Sequence, residues 1–184
     1  MPNRLILTHG APGAGKSTFI KNRDLEHFKI SPDDLRLLLS APITVKIKGH
    51  DRWQISQKKN QEVWQLAFRL LEERLQNGSD TVFDACNFTQ DYLTRYKRMA
   101  DLYGFRTVVL DFSKVPLKTI MTQNHNRLYQ DHGLRYVPEN VIRDIYQKME
   151  PVPYDMASID VSKPGAVNLF WEWWHDSGKG KRDR

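Results

Sequence analysis

The stretch Gly10-Ala-Pro-Gly-Ala-Gly-Lys16-Ser17-Thr18, preceded by the apolar segment Leu5-Ile-Leu-Thr8, decides how the rest of the chain is read. It meets the pattern G-x-x-x-x-G-K-[ST] at every fixed position,. Gly10, Gly13 and Gly15 let the backbone curl until successive N–H groups point at the phosphates of a nucleotide, with Ala11, Pro12 and Ala14 between them. Lys16 reaches the β and γ oxygens, and the Ser17 hydroxyl is a ligand for Mg²⁺. Thr18 leads into Phe19-Ile-Lys-Asn22, a helix that opens near Gly15 and adds its positive end to the site. A strand before and a helix after are the context this motif needs, so a nucleoside triphosphate is expected on Gly10 to Thr18.

Outward from that loop, short apolar segments alternate with longer amphipathic ones. A strand at Phe28–Ile30 is followed by a helix from Pro32 to about Ser40. A loop rich in Pro, Gly and Lys, Ala41 to His50, leads into a long helix that ends at Asn77-Gly78,. Strand Thr81–Asp84, helix Gln90–Tyr103, strand Thr107–Phe112 and helix Leu117–Asn126 follow. A polar segment, a helix Pro138–Met149 and a fifth strand Ser158–Ser162 complete the pattern. This order predicts an α/β fold, a central four- to five-stranded parallel sheet flanked by helices, with a helical lid at about 126–137. One domain is expected over 1–162. Residues 163–184 form a C-terminal segment with the Trp-rich run Phe170-Trp-Glu-Trp-Trp174 and a basic tail, read as core packing or a homo-oligomer contact, with base stacking the alternative.

The 184 residues suit one domain with a full core,. A formal charge of +6 favours polyanionic partners but suits any nucleotide enzyme,. The single cysteine, Cys86, excludes an internal disulfide. With no apolar run of membrane-spanning length, a reducing cytoplasm is expected and no membrane partner.

Ser31-Pro-Asp-Asp-Leu-Arg36 follows the second strand, so it faces the same carboxyl edge of the sheet as the phosphate loop, where ligands of such sheets bind. Ser31 reads as an N-cap with Pro32 at the first helical position, and Asp34 is expected to close a reciprocal capping interaction. That leaves Asp33 beside Arg36, three residues apart on one helical face. Phosphoryl transfer to an alcohol needs a carboxylate to accept the hydroxyl proton and cations along the γ-phosphate. Asp33 fits the base. Asp84, ending the third strand, fits a carboxylate that holds Mg²⁺ through water or orients the acceptor. Arg127 and Arg135 in the lid are placed to clamp β and γ oxygens. His9 and His125 read as packing or hydrogen-bonding residues. Lys46, Lys48, Arg52, Lys58 and Lys59, with Trp53 among them, read equally as a nucleic-acid contact or a solvated face.

Taken together, LTHGAPGAGKST, ISPDDLR, FDACNFT and NHNRLYQDHGLRYVPENVI resemble, in order and spacing, the kinase domain of the 5′-hydroxyl polynucleotide kinases of phages and of the metazoan end-healing enzyme. The resemblance covers residues 4 to about 150. It implies the P-loop kinase fold, ATP and Mg²⁺ as cofactors, and 5′-hydroxyl ends of DNA or RNA as acceptors in end repair, in a setting that includes the cytoplasm of a phage-infected host cell. It also implies a general base at Asp33, with Lys16 and Arg127 completing the catalytic set. Arg36 would contact the acceptor's 3′-phosphate, Asp84 and Asn87 would help seat that acceptor, and Arg127 would engage the ATP phosphates. The phosphatase motif Asp-x-Asp-Gly-Thr of some relatives does not occur in this sequence, so 3′-end processing is not expected. Cys86 stands where the family often has threonine. The competing expectations are a P-loop kinase of a small molecule, such as a nucleoside, sugar or antibiotic, and a nucleotide-controlled binding module without transfer.

Overall fold

The computed structural model describes residues 3–176; the basic tail predicted at 177–184 lies outside the described residues. Five strands form one parallel sheet: β1 (Arg4–His9), β2 (Lys29–Ile30), β5 (Thr81–Phe83), β6 (Arg106–Asp111) and β7 (Ser158–Asp160), in the order β2-β5-β1-β6-β7. β1 is buried along its whole length, as a strand covered on both faces must be. Its alternating side chains feed two cores. Leu5 and Leu7 meet Val63, Leu71, Leu93 and Tyr96. These come from α3 (Asn60–Gln76) and α4 (Gln90–Leu102). Ile6 packs on the other side with Phe19, Ile20, Ile120 and Phe170, from α1 (Lys16–Lys21), α5 (Leu117–Asn126) and α7 (Ala166–His175).

The Trp-rich run lies on α7. Phe170 is fully buried and meets the Phe19 ring edge-on at 5.7 Å. Trp174 carries the Arg4 guanidinium 4.7 Å from its ring centroid. Phe170→Ala removes the ring that joins α7 to the helix behind the phosphate loop. It is expected to cost about 3–5 kcal/mol of unfolding free energy, read by urea denaturation. A loss below about 1 kcal/mol would mean that α7 adds little to the core.

The stretch predicted as a loop at Ala41–His50 is in fact the start of an antiparallel hairpin, β3 (Ile43–Ile47) and β4 (His50–Gln54). Ile43, Thr44, Val45 and Ile47 are β-branched and favour extended backbone. Lys48 and Gly49 both take positive φ, 50° and 81°, the requirement of a two-residue turn whose twist matches the strands. Among the described residues the hairpin pairs with no strand of the main sheet. Two-stranded ribbons are marginal alone, and this one is braced on the segment after α5. Trp53 packs against His132 with ring centroids 4.4 Å apart and the planes tilted by 41°, and a Cβ on Gly133 would meet the Arg52 side chain at 3.0 Å. That segment runs through single helical turns at Arg127–Tyr129 and Asp131–Gly133 into α6 (Glu139–Gln147).

Candidate active site

β1 and β5 at their carboxyl ends, and α2 (Pro32–Leu39) at its amino end, deliver residues to one edge of the sheet. β1 lies between β5 and β6, so the chain departs to opposite sides around it, and the crevice there is the natural ligand position. The phosphate loop leaves β1 at Gly10, whose φ is 150° and whose added Cβ would sit 2.7 Å from Phe112 Cβ. Only glycine fits that crossing. Lys16 Nζ donates to Gly10 O and Ala11 O, both at 2.8 Å, and lies 3.8 Å from Cys86 Sγ. Ser17 Oγ donates to Asp84 Oδ2 at 2.9 Å.

A cavity of about 540 Å³ spans this edge, a size suited to nucleotide-sized ligands. Of the residues singled out from the sequence, Pro12, Gly13, Lys16, Ser17, Asp33, Arg36, Asp84, Asn87, Arg127 and Arg135 line it. Gly10, Ala11, Ala14, Gly15 and Thr18 belong to the loop without lining the cavity; Ala11 and Ala14 are packed into the core beneath it.

Arg36 and Asp33 form the pair the spacing suggested, with Arg36 Nη1 donating to Asp33 Oδ1 at 2.8 Å. Arg36 is buried, and its other terminal nitrogen donates to Asn60 Oδ1 at the start of α3. Its Nε has no hydrogen-bond partner among the described residues. Asn60 does not line the cavity but holds Arg36 from behind; the sequence does not reveal it, because 24 residues separate it from Arg36 and no local pattern links the two.

Asp34 departs from expectation. Ser31 occupies the N-cap, but no side chain caps this helix. Asp34 instead accepts from Lys29 Nζ at 2.7 Å and from Arg135 Nη2 at 2.8 Å. Two cations within reach outcompete a neutral backbone N–H for a carboxylate. Burial acts to raise the Asp34 carboxyl, yet the hydrogen bonds and charges of Lys29 and Arg135 outweigh it and hold the group below its ordinary value. This clasp is therefore intact at neutral pH and is lost only as the pH falls through that lowered value. Arg127 Nη1 donates to the backbone oxygen of Arg135 at 3.1 Å. Burial first, then the neighbouring Arg135 charge, lowers the Arg127 pKa, while Asp33, Cys86 and Asp84 act the opposite way.

Three further groups fix the frame. His9 is fully buried and its Nδ1 donates to Asn87 O at 2.8 Å. Asn87 Nδ2 donates to Thr8 O at 2.7 Å. Its Oδ1 is buried without a hydrogen-bond partner among the described residues. Thr8, also missed from the sequence, donates from Oγ1 to Ala85 O at 2.8 Å and so ties β1 to the Asp84 loop. Burial pushes the Cys86 thiol up, against the partial offset of Lys16, so a neutral thiol and not a nucleophile faces the cavity. No cluster of three metal-ligating side chains occurs among the described residues. The adjacent Ser17 and Asp84 oxygens suit Mg²⁺, which takes one or two protein ligands and keeps water and phosphate for the rest.

A family model described as an AAA domain matches residues 5–152. Among solved structures, a chain of the Pnkp1/Rnl/Hen1 RNA repair complex is similar at 19% identity and a TM-score of 0.61, covering 88% of this chain and 54% of that one. This chain thus spans about half the length of that relative. A gluconokinase from Sinorhizobium meliloti 1021 is similar at 17% identity and a TM-score of 0.54, over 96% of this chain and 98% of that one. The Mycobacterium tuberculosis APS kinase CysC, in complex with AMPPNP and APS, is similar at 13% identity and a TM-score of 0.57, over 95% and 99%. Likeness at such identities is likeness of fold, here the P-loop kinase fold. Among the described residues no helix is long and apolar enough to cross a membrane.

Proposed function

The chain belongs to the AAA domain family, and from that membership and the geometry of its cavity we propose that it is an ATP-dependent polynucleotide kinase. It would transfer the γ-phosphate to the 5′-hydroxyl end of DNA or RNA. One observation carries this reading: a carboxylate and a buried guanidinium, Asp33 and Arg36, line the same cavity as Lys16 and Ser17. An acceptor that presents a hydroxyl to Asp33 then meets a cation made for a phosphate, the neighbouring 3′-phosphate of a nucleotide.

The phosphate loop amides and Lys16 hold the ATP phosphates, and Lys16 exchanges its two carbonyl partners for phosphate oxygens. Mg²⁺ bound by Ser17, with Asp84 beside it, would supply charge neutralisation between the β and γ oxygens. Asp33 orients the acceptor hydroxyl and takes its proton as the oxygen attacks in line. Asn87, locked to β1 through its amide nitrogen, lends the acceptor side its unpartnered Oδ1. Arg127 lies over the transferring group from the lid at about 126–137.

Arg135, in this account, acts at one remove from the phosphates. Its side chain is clasped by Asp34, and its carbonyl holds Arg127. Asp34→Asn and Arg135→Gln are each expected to raise the KM for ATP by about fivefold, the worth of about 1 kcal/mol for a partly exposed ion pair. The double variant should be no worse than either single, because the two residues share one interaction. Additive losses would show that Arg135 acts independently of Asp34.

A second reading, a kinase of a small hydroxylated molecule, draws on the gluconokinase and APS kinase chains, which are matched over nearly their whole length. The deciding experiment is transfer of γ-labelled phosphate from ATP with Mg²⁺ to 5′-hydroxyl DNA and RNA oligonucleotides, run beside a panel of nucleosides and sugars. Label on the oligonucleotide end supports the polynucleotide reading; label only on a small molecule overturns it.

A further inference from the structure

A second cleft of about 510 Å³ opens beside the cavity, lined by Val45, Lys46, Ile47 and Lys48 of the hairpin and by Glu139 and Asn140 of α6. Gln54, Tyr136 and Pro138 line both hollows, so the cleft continues outward from the cavity that holds Asp33 and Arg36. Lys46 and Lys48 are exposed. Among the described residues neither has an ion-pair partner, whereas Lys59 of the same basic stretch pairs with Glu62 at 3.5 Å. Arg52 is packed against Gly133, and Trp53 is packed against His132. The basic cluster that was ambiguous in sequence is thereby divided. Arg52 and Trp53 brace the hairpin, while Lys46 and Lys48 line the cleft without an ion-pair partner among the described residues.

We infer that this cleft is a groove for the phosphodiester backbone of a single-stranded acceptor, engaged beyond the nucleotide that reacts. The inference rests on the polynucleotide reading above. A strand whose terminal hydroxyl lies at Asp33 must leave the cavity, and the residues common to both hollows lead it past the two lysines. Among the lining residues the two lysines face one carboxylate, Glu139, and Asp51, the cross-strand partner of Lys46, lies outside the lining, so the groove itself carries a net attraction for phosphate. Gln54 and Asn140 add amide donors of the kind that contact sugar and phosphate without reading sequence. A small-molecule acceptor would end inside the cavity and never reach Lys46 or Lys48.

The test compares a 3′-phosphorylated mononucleoside with a 5′-hydroxyl hexanucleotide, as DNA and as RNA, in wild type and in the exposed charge-reversal variant Lys46→Glu/Lys48→Glu. The wild type should favour the hexanucleotide by about tenfold or more in kcat/KM, and the variant should bring that ratio close to one. The slope of log kcat/KM against log salt for the hexanucleotide should lose about 1.4, or about 0.7 for each phosphate contact on a single strand. Glu139→Gln should shift the ratio the other way. An unchanged length ratio in the charge-reversal variant overturns the groove while leaving the kinase reading intact. If wild type labels neither acceptor, the kinase reading falls on its own. Anisotropy of a fluorescein-labelled hexanucleotide then judges the groove: binding weakened by about tenfold or more in the variant supports it, and equal binding overturns it.

Discussion

Asp33→Asn is expected to lower kcat for phosphate transfer by about 10²- to 10⁴-fold, the usual worth of a positioned general base. The substitution preserves shape, and its side-chain oxygen still accepts from Arg36 Nη1 in the geometry Asp33 now has at 2.8 Å. What disappears is the capacity to take a proton. Arg36 engages only Oδ1 of Asp33, so Oδ2 is the oxygen left to face the acceptor hydroxyl, and the side chain is about half exposed to the cavity. Nucleotide binding should survive, since Lys16, Ser17 and the loop amides lie on the other side of the transferring group. Calorimetric titration with ATP beside single-turnover transfer separates the two effects. Asp84 gives the internal contrast: its Oδ2 already accepts from Ser17, so Asp84→Asn should raise the Mg²⁺ concentration needed for half-maximal rate as well as lower the rate. A residual rate above about one tenth in Asp33→Asn would remove it as the base.

The sheet was legible because its signals are local. The buried run of β1, the loop glycines and the alternation of short apolar with long amphipathic segments each occupy fewer than about twenty residues, where pattern and propensity act directly. The pairing of Asp33 with Arg36 was legible for the same reason, being a contact across one helical turn. The hairpin was lost to composition. Gly49, Lys46 and Lys48 look like a solvated loop, and the decisive feature, two successive positive φ angles at Lys48 and Gly49, has no strong signature when the first residue is not Asn, Asp or Gly. For Asp34 the local capping rule points to its own helix end, whereas a partner 101 residues away wins. Lys29, five residues before Asp34, was visible in the sequence; Arg135 became a neighbour only through the fold. Asn60 and Thr8 carry no motif at all, and their roles arise from what the sheet and α3 bring against them.

Arg127→Ala is expected to reduce kcat by about 10³- to 10⁵-fold, as loss of an arginine that stabilises the transferring phosphoryl group does. Arg127 and Arg135 line the same cavity, yet their attachments differ. The Arg135 guanidinium is already paired with a carboxylate at 2.8 Å, while that of Arg127 makes a single bond to a carbonyl at 3.1 Å. A guanidinium held only by one carbonyl keeps its remaining N–H donors for phosphate oxygens; one held by Asp34 must first give up an ion pair. The losses should therefore be unequal, with Arg127→Ala falling by orders of magnitude and Arg135→Ala by about fivefold, an ion pair's worth. Arg127→Lys should recover little, because a point charge cannot reproduce the planar fork that bridges two oxygens. Single-turnover transfer at saturating ATP reads the chemical step, and the KM for ATP reads the lid. Equal losses for the two alanine variants in the chemical step would put both guanidinium groups on the phosphates, and the Asp34 clasp would then be a resting contact that opens before each turnover.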